Sequence, residues 1–286
     1  MMVDPVAVLI RGLSFIAMFQ AVGGALFLTL FGSQLPVSDM PIRRLLRRVT
    51  MVAMGLLLLQ LSFEAARLSG ELSGLLDAQM QQLAWHSATG TATRLRLIGL
   101  VLVLISLYLS RRHLAGVLCL IGTATLVAAF TIIGHTVDHP HRAILVLLLL
   151  AHLLIVAFWF GALWPLRQAV SHEAPRVAAA VLERFSRIAV WIVPGLLLAG
   201  ATVAILLVPG FSVFSQPYGQ LLLTKLALFG VLMGLASLNK LRLTPALLQE
   251  NPTAVPRLRR SLSGEYLLIA LVLLVTAVMT GLYSPD

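Results

Sequence analysis

Charge is scarce in this chain. Only 11% of its 286 residues are Asp, Glu, Lys or Arg, whereas a soluble domain carries about a quarter. Cysteine is nearly missing too. The single Cys119, inside an apolar run, excludes a disulfide framework, a C-x-x-C redox pair and a cysteine-based metal motif. A Walker loop, a dinucleotide fingerprint and a G-x-S-x-G elbow are lacking, which argues against an ATP-driven pump and a soluble-type hydrolase. No low-complexity segment occurs, and no polar stretch is long enough for a separate soluble domain. The first ten residues, MMVDPVAVLI, lack the basic region of a signal peptide, so the first apolar segment is expected to be retained.

What is present is apolar: 59% of the residues are hydrophobic, and the mean hydropathy is +0.96. A bilayer span needs about 20 such residues, and eight would use roughly 160 positions. Apolar runs bounded by charges, Gly or Pro predict eight helices at 6–31, 45–63, 95–110, 114–134, 143–166, 185–208, 220–238 and 266–284. The expected fold is all-α: a polytopic integral membrane protein with a single membrane domain, residues 1–286.

The net charge of +10 would suggest nucleic acid as partner of a soluble protein. Here it reads as topology. Loops after the first, third, fifth and seventh helices, with adjoining helix ends, hold 15 of the Lys and Arg residues, against 6 elsewhere. Basic loops stay in the cytoplasm, so both termini are expected on the outer, periplasmic side. The Arg43, Arg44, Arg47 and Arg48 cluster would also meet anionic membrane lipids.

The second helix contains RRVTMVAMGLLLL and the sixth SRIAVWIVPGLLL, which pairs Arg47 with Arg187 and Gly55 with Gly195. Gly90 stands six residues before Arg96, and Gly219 six before Lys225. Two matches in one order predict two parallel four-helix repeats, about 1–138 and 139–286. Glycines 23, 24, 55, 161, 195 and 234 are expected to let helices approach, and Pro194 with Gly195 to kink the sixth helix.

Function should lie near the junction, where His135, His139, His141 and His152 fall within eighteen residues. Imidazole is the commonest metal ligand, and Asp138 could add an oxygen. The alternative is a solvated turn that binds nothing. His152 differs, because ten residues of helix place it roughly 15 Å below Arg142, near mid-bilayer. A polar ring at that depth usually faces a cavity, a ligand or a proton path. His141 and Trp159 share its helical stripe. His86 could complete an outer metal site, or with Trp85 form an interfacial pair. Met18 and Met54 offer thioethers for Cu(I), or simply fill core. Glu64 is a metal or proton group, or a partner of Arg67. His113 and His172 read as surface residues.

Gly134 with His135, AHLLIVAFWFGAL at 151–163, and PYGQLLLTKLALFGVLMGLASLNKLRLTPAL at 217–247 resemble the copper resistance protein D (CopD) family of bacterial inner-membrane proteins. Tyr218, Gly219, Lys225, Asn239 and Pro245 match its pattern; Ala162 stands where a second glycine is frequent. The resemblance implies an eight-helix transporter rather than an enzyme, taking copper from the periplasm towards the cytoplasm, often with a periplasmic copper-binding partner of the CopC type. It implies ligand roles for His135 and His152, and leaves His139 and His141 to the composition argument. Two other readings stay open: a b-type haem redox protein, and a copper-handling assembly factor that does not transport. Because neutral imidazole is the ligand, acid below about pH 6 should weaken copper uptake.

Overall fold

The protein is described from a computed structural model, over residues 3–133, 140–207, 211–249 and 251–283. Every element among them is helical: α1 Val3–Phe31, α2 Asp39–Ser69, α3 Ala78–His86, α4 Ala88–Tyr108, α5 Arg112–Ala128, α6 Arg142–His172, α7 Pro175–Leu207, α8 Pro217–Leu238, α9 Thr244–Leu248 and α10 Ala254–Leu282. Eight stretches are long and apolar enough to cross a membrane, with α8 running through a π turn at Asn239–Leu243 into α9.

Several helices outrun their apolar cores. The sequence places the second helix at 45, but α2 begins at Asp39; α6 continues to His172, α7 starts at Pro175 and α10 at Ala254. Hydropathy marks where lipid ends, whereas a helical backbone satisfies itself in water as well, and Arg and Lys are good helix formers. Between Ser69 and Ala88 the expected loop contains the short α3, whose Asp77 cap accepts from the Gln79 and Met80 amides at 2.8 and 3.2 Å.

α1 is the hub. It packs against α2, α6, α10, α5 and α4, and 72% of its apolar window is buried, against 11% for α7 and 6% for α8. The two outermost helices therefore belong to the second half. The α1–α6 seam is set by Gly23 and Gly161: a methyl on Gly23 would overlap the Ala157 carbonyl, and one on Gly161 would overlap the Gly23–Gly24 peptide. Pro165, inside α6, cannot donate to the carbonyl four residues back, which is that of Gly161. Gln20 of α1 supplies the missing bond, its Nε2 donating to the Gly161 oxygen at 3.2 Å.

Gly55 and Gly234 meet nothing within 4 Å, and Gly195 meets only Ile155 Cδ1 at 3.8 Å. Gly55 and Gly234 lie away from helix contacts, contrary to expectation, whereas Gly195 stands against Ile155 of α6 as expected, and Pro194 lies within an uninterrupted α7. At the basic end, Glu173 binds α6 to α2, accepting from the Val37 and Ser38 amides at 3.1 and 2.7 Å. A carboxylate there offsets the positive end of the α2 dipole.

Candidate functional site

His152 sits half-buried on α6. Its ring lies beside the α7 backbone, facing the Leu196 carbonyl, with Cε1 and Nδ1 at 3.4 and 3.5 Å from where a Gly200 Cβ would stand. Nδ1 is buried without a hydrogen-bond partner. Lys225 of α8 is near enough for its charge to act on the ring. The ring of an α6 residue is thus held against α7, and a lone pair or N–H is left unused at that depth.

The rest of the histidine cluster divides. His135, Asp138 and His139 lie outside the described residues. His141 is exposed in the turn that starts α6, and His86 is exposed at the end of α3. Among the described residues no three His, Cys, Asp or Glu side chains gather as a metal group. Met18 is fully buried in the core around α1 and Met54 is packed at its margin. Glu64 lies 3.6 Å from Arg67, one of the two accounts the sequence offers for it. His113 and His172 are exposed, as expected of surface residues.

One turn pair below His152, a second polar centre appears that hydropathy does not reveal. Trp159 is buried, set edge-on to Phe229 of α8 with ring centroids 6.4 Å apart, and its indole hydrogen-bonds Glu265 of α10. Glu265 is 3% exposed and also accepts from Asn239 Nδ2. Asn239 opens the π turn, a distortion frequent at functional sites. Trp159, Asn239 and Glu265 line a cleft of about 280 Å³. Its walls follow from the packing: α7 is held by α6 and α9, α8 by α10, and the space between α7 and α8 is left open. The sequence assigns Glu265 to a loop because it precedes the apolar run by one residue; Asn239 is noticed there only for its place in the family pattern.

The glycine-to-cation pairs noted in the sequence share a local design. Gly90 lies in the first turn of α4, against the Ala84 and Trp85 carbonyls at the end of α3; Gly219 lies in the first turn of α8, against the Val213 carbonyl of the short turn Phe211–Ser215. In both, a side chain would strike backbone, so a short helical piece folds tightly onto a helix head. Six residues on, Arg96 is buried with its guanidinium 4.1 Å over the Phe130 ring, while Lys225 lies within electrostatic reach of His152. The cation near the head of α4 is stacked away from solvent, and that near the head of α8 acts on the histidine through its charge.

Residues 2–143 match the family model described as Copper resistance protein D-like, N-terminal domain, and residues 179–279 match the model described as Copper resistance protein D. No curated protein and no solved structure gives a match.

Proposed function

The chain belongs to the copper resistance protein D family, and on that footing we propose that it is an inner-membrane copper transporter, not an enzyme. Copper enters from the periplasm at a His135 site with His139, His141 or His86, passes to His152, and leaves between two parallel four-helix halves. A CopC-type protein would deliver it. The observation that carries this reading is the unpartnered Nδ1 of His152, buried on α6 against the Gly200 turn of α7. Imidazole suits copper, and the neighbouring Lys225 makes singly charged Cu(I) an easier guest than Cu(II). The two helix heads of one design, Gly90 with Arg96 and Gly219 with Lys225, support the repeat; the 15 to 6 split of basic residues supports the outward termini.

Copper titration of the detergent-purified protein tests the site. His152→Ala and His135→Ala are each expected to weaken binding about tenfold or more, or 1.4 kcal/mol and upward. Unchanged affinity in both removes the assignment. Uptake of radiolabelled copper into vesicles separates a permease from an assembly factor, and a Soret band in the purified protein would replace the reading by a b-type haem carrier.

A further inference from the structure

Glu265 lies within a span, 3% exposed, and forms no ion pair among the described residues. Its partners are the neutral donors Asn239 and Trp159. Around it, acceptors stand unused: Asn239 Oδ1, and Ser261 Oγ one turn away on α10, are buried without partners. On the opposite wall Pro194 of α7 has no N–H, which frees the Val190 carbonyl. Both residues line the same cleft.

We propose that Glu265 is a proton-exchange site, gaining and losing its proton through the α7–α8 cleft. Ionisable groups inside membranes mark ion and proton pathways when they face a cavity, and Glu265 faces one of about 280 Å³. The donor set favours a proton over a metal. It offers a single carboxylate and neutral oxygens, with Met233 as the one soft atom among the lining residues. Lys240 shares the wall and would repel a metal cation. Other elements add no charge: α6 gives Trp159, α7 Ser186 and α9 Thr244, none of which is charged, while Tyr266 stacks on Phe160 with centroids 4.6 Å apart. Trp159 lies seven residues, two helical turns, from His152 on α6, so the cleft and the proposed copper position share one helix. Proton exchange would then accompany metal passage, and that clause alone rests on the copper reading.

Dicyclohexylcarbodiimide tests the site without copper. It adds to a protonated carboxyl in apolar surroundings, the acid proton passing to a carbodiimide nitrogen as the carboxyl oxygen bonds its carbon. In liposomes carrying the full chain, mass spectrometry is expected to find the adduct on Glu265, several-fold more abundant in acidic than in alkaline buffer and unaffected by sodium. Glu265→Gln, which preserves shape and keeps one acceptor oxygen, should lose it. No adduct on Glu265, equal labelling across pH, or protection by sodium overturns the proposal. For coupling, copper uptake driven by an imposed pH gradient should become gradient-independent in Glu265→Gln with copper affinity unchanged; gradient-independent uptake by the wild type overturns coupling and leaves the labelling result standing.

Discussion

His152 and Glu265 show how differently two buried polar residues read before folding. His152 sits in the middle of an apolar run, so counting residues from Arg142 gives its depth. Glu265 stands at the boundary of its run, and its burial comes from α10 continuing to Ala254 and from α6 and the π turn closing over it. Gln20 is similar: one amide in the first span has no meaning until Pro165, 145 residues later in the chain, leaves a carbonyl open beside it. Replacing Gln20 by Leu, close in size, leaves the Gly161 oxygen buried and unpaired, at a cost of about 1 to 3 kcal/mol. Thermal unfolding in detergent should show the lower midpoint, and a variant as stable as the wild type would mean the bond is dispensable.

At the scale of elements, apolar run length made the eight spans legible, because the bilayer imposes it. Helix ends were not, since a helix does not stop where lipid does. Glycines were legible only in part. Gly23, Gly24 and Gly161 lie in packed contacts, whereas Gly55 and Gly234 have open space around them; the residue type is the same, and only the partner helix distinguishes them. Gly161→Ala should therefore push α1 from α6 and cost about 1 to 3 kcal/mol or more, while Gly55→Ala should be neutral or slightly stabilising, since Ala is the better helix former. Parallel melting curves check the contrast, and equal destabilisation would contradict the described seam. The candidate site was legible at His152 and not at the cleft, which arises from how α7 and α8 are supported rather than from any motif.

For the molecule as a whole, the proposed outward orientation of the termini rests on charge. With Cys119 buried and replaced by Ser, single cysteines report sidedness: Leu76→Cys, at a position 94% exposed between α2 and α3, should react with a membrane-impermeant maleimide in spheroplasts, and His113→Cys only after permeabilisation. The opposite pattern would reverse entry and exit. The central place of α1 also imposes an order in time. α1 is made first, yet α6 begins about 110 residues later and α10 about 220, so at about 5 to 20 residues per second α1 waits roughly 6 to 20 s for α6. Through that interval its glycine face and Gln20 have only the earlier helices of the first half for cover, and the hub of the finished protein is the last of its early helices to be enclosed.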